Sequence, residues 1–358
     1  MKMMKILFLL FLSTIFFMSP AFSQCASGIA NTITNTPFQG GNITIGPDTA
    51  DGTIVYRQTS SSSWFSTIGV GCTAAGPHQI IYEFLSTPLS RSAWNSGPYA
   101  GKVYETGVSG LGVVLSSNSV IIPATVKIGC STKTCAYPPS LFVIDLSIIK
   151  TGPVTAGSIN GTNLPCINLL MGQQGDMALG YPSMCFSGAL NIVSQTCSTP
   201  NVKVEMGSYP VNRLATIGSA TNWIDASINL INCPMFYGIY QNASVWSDGL
   251  GTLGAGKANS ISLTLIPTTG ITSEGYLNIE NQNEMSATGV AIQLASGTSE
   301  NPTLLNLNSQ QGTTFNQVMT NNQGGSVSIP FAARYIKTAP LMTPGRADGK
   351  ITFIINYY

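Results

Sequence analysis

The residues of this chain that could perform chemistry are few, and they do not combine into a catalytic group. His78 is the only histidine, so a hydrolytic triad would have to be built around it alone. It follows Gly76-Pro77 at the start of a strand-like run, which indicates a structural or surface histidine. A two-carboxylate glycosidase needs a matched pair of acids, and no pair stands out. The sequence therefore predicts no catalytic residues and no enzyme activity.

Asp145 is an acid inside the apolar strand-like run Phe142-Val-Ile-Asp-Leu146. The two-residue period of a strand places it on the same face as Val143 and Ser147. We therefore expect Asp145 on an outward polar face. A buried acid with a perturbed pKa remains the alternative.

The eight cysteines could form disulfides or bind a metal. An even number in an exported chain favours four disulfides. Zinc would need clustered cysteine and histidine, and the chain has one histidine and no Cys-x-x-Cys. The sequence predicts no metal and no cofactor. We predict pairing between nearest neighbours: Cys25–Cys72, Cys130–Cys135, Cys166–Cys185 and Cys197–Cys233.

The first 23 residues have the pattern of a secretory signal peptide. Two lysines precede an apolar run from Ile6 to Met18, and the small residues Ala21 and Ser23 occupy the positions that a signal peptidase reads. A retained membrane anchor is the alternative, but the apolar run is short for a span. We predict cleavage after Ser23 and export through the periplasm to the cell surface.

The composition favours a folded, β-rich chain without a nucleic-acid partner. Loss of the two signal-segment lysines changes the formal charge from +1 to −1, so no basic field would attract nucleic acid. Hydrophobic residues make up 44% of the chain, which argues against disorder. Glycine and proline punctuate many short apolar runs, as expected of numerous strands and turns.

The strand-like runs divide into two groups around a short polar hinge, residues 194–196. We predict two all-β sandwich domains, residues 24–193 and 197–358, after the signal peptide, residues 1–23. The runs in the first are 42–45, 53–58, 79–84, 102–105, 111–115, 119–128, 141–149, 167–171 and 186–193. Those in the second are 202–206, 226–233, 260–266, 276–279, 290–294, 303–307, 327–336 and 351–357.

The C-terminal strand carries the most specific pattern in the chain. Ile351, Phe353, Ile355 and Tyr357 share one face of a run that ends the sequence. The simpler interpretation is an ordinary last strand that pairs within its own sheet. The alternative is a strand beside an unfilled slot that awaits a strand from another chain.

These residues resemble the C-terminal signature of chaperone–usher pilus subunits. Tyr357 is next to last, and Gly345 is fourteenth from the end. The stretches Ser328–Tyr335 and Cys197–Gly207 resemble other parts of the same family. The resemblance implies an immunoglobulin-like pilin domain that lacks its last strand. It also implies a periplasmic chaperone, an outer-membrane usher and a strand-donating pilus subunit as partners, with Gly345, Ile351, Phe353, Ile355 and Tyr357 at the interface.

The first half resembles the receptor-binding domain of two-domain fimbrial tip adhesins. No alternating donor segment precedes Cys25, so we expect a subunit that accepts a strand and donates none. The early pair Cys25–Cys72 resembles the type 1 tip adhesin, and Ile149–Gly157 is similar to type 3 adhesins. A secreted glycan-acting enzyme and a specialised adaptor subunit are the alternatives.

Aromatic residues in polar loops are the candidate receptor contacts. Sugars bind aromatic faces, with amides and backbone groups on their hydroxyls. Trp64 follows a serine run, and Trp94, Asn95 and Tyr99 lie in the loop Arg91–Tyr99. The alternative is that these aromatic residues cover the core beneath long loops. The resemblance implies a lectin-like domain that binds a host glycan or a matrix protein.

Overall fold

The computed structural model of the protein consists of β-strands joined by turns, and the all-β prediction is confirmed. It describes residues 25–61, 67–178, 180–246, 250–280, 285–307, 312–319 and 323–358. The predicted signal peptide and Trp64 lie outside these residues. The helical elements of the described chain are 3₁₀ turns at Gly97–Tyr99, Pro139–Phe142, Gly161–Asn163 and Val211–Arg213.

The first half is built from short strands of 2 to 9 residues. They are β1 (Thr32–Pro37), β2 (Asn42–Thr44), β3 (Ile54–Ser61), β4 (Ile68–Gly71), β5 (His78–Ser86), β6 (Tyr104–Glu105), β7 (Leu111–Ser117), β8 (Val120–Ile121), β9 (Ala124–Lys127), β10 (Thr134–Tyr137), β11 (Ile144–Lys150), β12 (Gly157–Asn160), β13 (Cys166–Gln173), β14 (Asp176–Met177), β15 (Pro182–Ser187) and β16 (Ala189–Val193).

Two main sheets enclose the core of this half. One has the order β1-β15-β13-β5-β9, and the other contains β3-β11-β7-β6. Tyr82 and Leu169 from the first sheet and Tyr56, Leu115 and Leu146 from the second belong to one buried cluster. Burial of such side chains contributes about 1.5–3 kcal/mol each before entropy is counted. This cluster is therefore the main source of stability for the first half.

The second half is built from strands that form smaller sheets. They are β17 (Ile224–Asp225), β18 (Ile228–Phe236), β19 (Tyr240–Trp246), β20 (Gly251–Thr252), β21 (Ser260–Pro267), β22 (Val290–Ser296), β23 (Thr303–Leu304), β24 (Thr313–Val318), β25 (Gln323–Ile329), β26 (Phe331–Lys337) and β27 (Ile351–Tyr357). Three sheets, β17-β26-β22-β23, β18-β25 and β24-β21-β27, surround its apolar core.

One strand of the second half pairs with the first half. β19 lies parallel to β3, with Ala243 opposite Gln58 and Tyr240 opposite Tyr56. Ala243 is 1% exposed and belongs to the core cluster of the first half. A boundary at residues 194–196 stays a prediction, and this pairing shows that the second half supplies an edge strand across it.

The four disulfides have the predicted nearest-neighbour pairing. Three lie in the first half, and Cys197–Cys233 lies in the second. None joins the two halves, and no cysteine is free. Closing the loop between Cys197 and Cys233 stabilises this half by about 3–4 kcal/mol on the chain-entropy account.

Several predicted strands are wrong in detail, for identifiable reasons. The segment 202–206 is extended but has no strand partner. The run 119–128 divides into β8 and β9 at Pro123, since proline has no N–H for a ladder. The largely polar strands β1, β12 and β24 lack the apolar alternation that marks a strand, whereas β4 and β10 alternate over only 4 residues each. These five strands and β19 were not predicted.

We expect Ala243→Asp to destabilise the first half although the residue belongs to the second. The charge would be buried in the core without a partner, at a cost of roughly 2–5 kcal/mol. Thermal unfolding and limited proteolysis of the full chain measure the effect. Asn242→Asp, at the exposed neighbouring position, is the control and should change the melting temperature little. Equal melting temperatures for both variants would contradict the placement of β19.

Candidate functional site

The terminal strand β27 lies at the edge of its sheet and is paired on one side. β21 is its antiparallel neighbour, with Ser260 opposite Tyr358 and Pro267 opposite Ile351. Ser260 and Tyr358 exchange both main-chain hydrogen bonds. In an antiparallel ladder the bonding direction alternates, so the N–H and C=O groups of Ile351, Phe353, Ile355 and Tyr357 point away from β21. Among the described residues no strand pairs with this side.

The same four residues turn their side chains toward the core. Ile351, Phe353 and Ile355 are half-buried against the apolar cluster of the second half, and Tyr357 is 6% exposed. Ile354, on the other face, is 46% exposed. Burial raises the pKa of the Tyr357 phenol, which keeps it neutral. An added strand would therefore pair with the main chain and cover a half-closed core at once.

An apolar groove of about 630 Å³ runs beside this free edge. One wall is the extended segment Val202–Gly207, and the other is Arg346–Phe353. The floor is mainly apolar and includes Ala226, Ile228, Leu265, Leu277, Ile292, Leu294, Phe331 and Ala333. The segment 202–206, predicted as a strand, pairs with no strand in the described part of the chain.

Charged residues line the rim of the groove in opposite-sign pairs. Lys203 Nζ lies 2.6 Å from Glu205 Oε1, and Arg346 Nε lies 2.5 Å from Asp348 Oδ2. Both pairs are largely exposed, so each contributes little to stability. Their charge keeps the rim soluble while the groove is open, and unpaired sheet edges are commonly protected in this way.

Gly345 occupies a position where two backbones come close together. A Cβ at Gly345 would lie 2.5 Å from the nitrogen of Ala287 and 2.5 Å from the oxygen of Met285. No side chain fits there without a shift of the backbone. Gly345 therefore allows the chain to pass the Ser286 segment and enter β27. Its part in an interface, like that of Ile351, Phe353, Ile355 and Tyr357, stays a prediction.

The candidate receptor residues Trp94, Asn95 and Tyr99 lie in one loop on the outer face of the β3-β11-β7-β6 sheet. Trp94 and Tyr99 are half-buried and pack on a small apolar cluster of Val103, Val114 and Ile149. The loop is closed by hydrogen bonds from the Gly101 N–H to the Trp94 carbonyl and from the Lys102 N–H to the Tyr99 carbonyl. Asn95 is exposed. The two aromatic residues thus cover apolar surface, and receptor contact stays a prediction for all three.

Asp145 lies on the outer face predicted for it, but it is 8% exposed. Its Oδ2 lies 2.7 Å from Arg57 Nη2, and its Oδ1 accepts a 2.6 Å hydrogen bond from the Thr59 hydroxyl. The expectation of an open polar face is therefore incomplete, because Arg57 and Thr59 cover the acid from β3. With each oxygen bonded to a neighbour, Asp145 has the role of a structural ion pair.

His78 begins β5 as predicted and is fully buried. Its Nε2 lies 3.1 Å from the Thr132 carbonyl and 3.2 Å from the Gln173 side-chain amide, and its Nδ1 lies 3.3 Å from the Tyr137 hydroxyl. Burial raises the pKa of Tyr137 to about 12. The network joins β5, β10 and β13, so His78 is a structural residue.

Sequence reasoning missed the buried amide of Asn259, which connects the two halves. Its Nδ2 donates to the Thr44 carbonyl at 2.9 Å and to the Tyr358 carbonyl at 3.2 Å. Its Oδ1 accepts from the Gly238 N–H at 2.9 Å. Asn259 stands among small polar residues before β21, and nothing in that pattern distinguishes it from a loop asparagine.

Metal binding and membrane insertion are two further properties that bear on function. No group of three or more His, Cys, Asp or Glu side chains in the described residues could hold a metal ion. Within the same part of the chain, no helix has the length and apolar character needed to cross a membrane.

Comparison with known proteins identifies the second half. Residues 184–358 match the family model described as "Fimbrial protein". No curated protein sequence matches the chain. The family resemblance predicted from the terminal strand is confirmed for this part of the chain.

Solved structures with a similar fold include fimbrial proteins. The CupB6 tip adhesin of Pseudomonas aeruginosa is 13% identical over 93% of each chain, with a TM-score of 0.35. The receptor binding domain of the adhesin MrkD1P of Klebsiella pneumoniae is 21% identical over 49% of this chain and 98% of its own, with a TM-score of 0.34. The P pilus rod subunit PapA is 16% identical over 46% and 100%, with a TM-score of 0.31. Sequence identities and TM-scores this low do not indicate a function for this chain.

We expect Trp94→Ala to lower the free energy of unfolding by about 1–3 kcal/mol, because it uncovers part of the apolar cluster beneath the loop. Asn95→Ala, one residue away and exposed, is the control and should change it by less than about 0.5 kcal/mol. Chemical denaturation of the full chain measures both. An unchanged unfolding midpoint for Trp94→Ala would mean that the ring does not cover the sheet.

Proposed function

Residues 184–358 match the fimbrial protein family model, and on that basis we propose that the chain is a fimbrial tip adhesin. In this proposal the second half joins the pilus by accepting a strand from the next subunit. The first half contacts a receptor on a host cell or surface. The protein reaches the cell surface through the periplasm.

The observation that carries the proposal is the free edge of β27 beside an apolar groove. Ile351, Phe353 and Ile355 present unpaired main-chain groups along this edge, and Ile351 and Phe353 also line the groove. A strand added there forms a ladder with them, and its alternate side chains enter the groove. Each buried apolar side chain contributes on the order of 1.5–3 kcal/mol before ordering costs. Strand addition is thus an efficient way to complete this half.

The partners follow from the state of the groove at each stage of export. An open edge in the periplasm would pair with other chains and aggregate. We therefore propose that a periplasmic chaperone supplies the first strand, that an outer-membrane usher receives the complex, and that a pilus subunit then replaces the chaperone strand. The match to the fimbrial protein family supports pilus subunits as partners.

The first half supports the adhesin part of the proposal by its position and its loops. It has a buried core of its own and precedes the fimbrial half. Its 91–102 loop holds Asn95 in solvent beside the partly exposed rings of Trp94 and Tyr99. An aromatic face next to an amide suits the C–H and hydroxyl surfaces of a sugar. We propose a glycan or a matrix protein as the receptor.

An enzyme acting on glycans is less well supported than an adhesin. His78 is enclosed by Thr132, Gln173 and Tyr137, and the two oxygens of Asp145 are bonded to Arg57 and Thr59. Neither group is placed to exchange a proton with a bound substrate.

We expect Phe353→Asp to abolish capture of the full-length protein by its cognate periplasmic chaperone. The charge would face the groove without a partner and would oppose strand addition. Ile354→Asp is the matched control, because the neighbouring residue is on the other face and 46% exposed. A pull-down from periplasmic extracts compares the two variants with wild type. Equal capture of Phe353→Asp and wild type would refute the role of β27 as an acceptor.

We expect the intact chain, with its groove filled by a donor peptide, to bind a member of a glycan and matrix-protein array. Asn95→Ala should weaken that binding at least tenfold, about 1.4 kcal/mol, without lowering the melting temperature. A reducing-sugar assay on the same sample tests for hydrolysis. Release of sugar would favour the enzyme. Binding unaffected by Asn95→Ala would move the receptor site away from this loop.

A further inference from the structure

The free edge of β27 is already occupied at one position, by a residue of the first half. The Tyr357 N–H donates to Asp48 Oδ2 at 2.8 Å, and the Asp48 N–H donates to the Tyr357 carbonyl at 3.1 Å. Both Tyr357 groups point away from β21, toward the side on which an added strand would pair. Asp48 therefore takes the two hydrogen bonds that an incoming strand would otherwise make at this position.

The contact combines one side-chain and one backbone hydrogen bond of Asp48, and the backbone at Gly46 fixes its position. A Cβ at Gly46 would overlap the carbonyl of Tyr357, so the two chains touch at a point where only glycine fits. Two residues earlier, the Thr44 carbonyl accepts from Asn259 Nδ2, which also donates to Tyr358. Gly46 and the buried Asn259 thus hold the turn of Asp48 against the end of β27.

The groove likewise does not reach the Tyr357 end of β27. Its walls include Ile351 and Phe353, and neither Ile355 nor Tyr357 lines it. Tyr357 is 6% exposed, whereas Ile351, Phe353 and Ile355 are only half-buried. The uncovered length of the edge is therefore Ile351–Ile355, and the Tyr357 end is closed.

We propose that Asp48 determines where the strand that fills the groove must stop. This inference rests on the proposed function, because it specifies the strand that the fimbrial half accepts. The partner is an extended segment whose alternate apolar side chains pair with Ile351, Phe353 and Ile355. Its pairing ends before Tyr357, where the Asp48 carboxylate stands in the path of the ladder. Asp48 is a specificity residue for strand length and register.

The closed end also limits the chemistry of the partner. A strand that continued past Ile355 would bring its carbonyl groups against the carboxylate of Asp48, and like partial charges repel. A partner that ends in a turn or a chain terminus at this point avoids the conflict. Segments with a long unbroken alternating run therefore gain nothing from their extra residues.

The test uses the full chain and three synthetic peptides of alternating valine and threonine. The shortest peptide is long enough to pair with Ile351–Ile355. The other two are longer by two residues, one at the N-terminal end and one at the C-terminal end. Peptide binding is measured as the increase in melting temperature and by titration. Wild type should bind all three with equal affinity. Asp48→Ala should bind one extended peptide several-fold, up to about tenfold, more tightly than the short one, because the Tyr357 N–H loses its carboxylate acceptor and becomes available to the added strand.

The outcomes separate this inference from the proposed function. If no peptide stabilises either protein, the groove does not accept strands and the proposed function fails. If wild type itself binds an extended peptide more tightly than the short one, strand addition stands and the stop at Asp48 is refuted. Asp48→Asn keeps an acceptor oxygen for the Tyr357 N–H and should behave as wild type, and a gain equal to that of Asp48→Ala would overturn the hydrogen-bond explanation.

Discussion

The structure depends on the requirement that the main-chain groups of a β-strand find partners. β27 satisfies this requirement on the side of β21 and leaves it unmet on the other side. The side chains of its alternate residues lie over a core that is only partly covered. Hydrogen bonding and apolar burial thus remain incomplete along the same edge of β27. One added strand would complete both.

The first half meets the same requirement within the chain. The edge of β3 is covered by β19, which comes from the second half and brings Ala243 into the core of the first. The Gln241 side chain adds a hydrogen bond to the Ile54 carbonyl. The two halves therefore share a sheet. Asp48 and Asn259 extend this contact to the end of β27, so the acceptor edge and the first half form one continuous surface.

Sequence patterns predicted the features that arise from local alternation or from covalent chemistry. The all-β class, the disulfide pairing and the inward face of β27 follow from residue periodicity and cysteine order. The receptor residues were harder to judge, because Trp94 has the same local pattern whether it binds a sugar or covers Ile149. Contacts between distant segments produce no recognisable pattern in the local sequence. Neither Asp48 nor Ala243 stands in a pattern that indicates pairing with Tyr357 or Gln58, since register between remote strands is set by the fold.

The sheet edges at β19 and β27 are protected in different ways, and the difference has a physical basis. β19 covers β3 on one side and is paired with the two-residue strand β20 on the other, so part of its outer edge is covered as well. The groove beside β27 is wide and apolar, and a partner must be able to enter it. Protection there comes from the charged pairs at the rim and from the backbone contact of Gly46 and Asp48 at one end. The open length that remains is short, because Asp48 closes the Tyr357 end of the strand. A segment of the correct length can fill it completely, whereas a longer unbroken strand leaves its extra main-chain groups without partners.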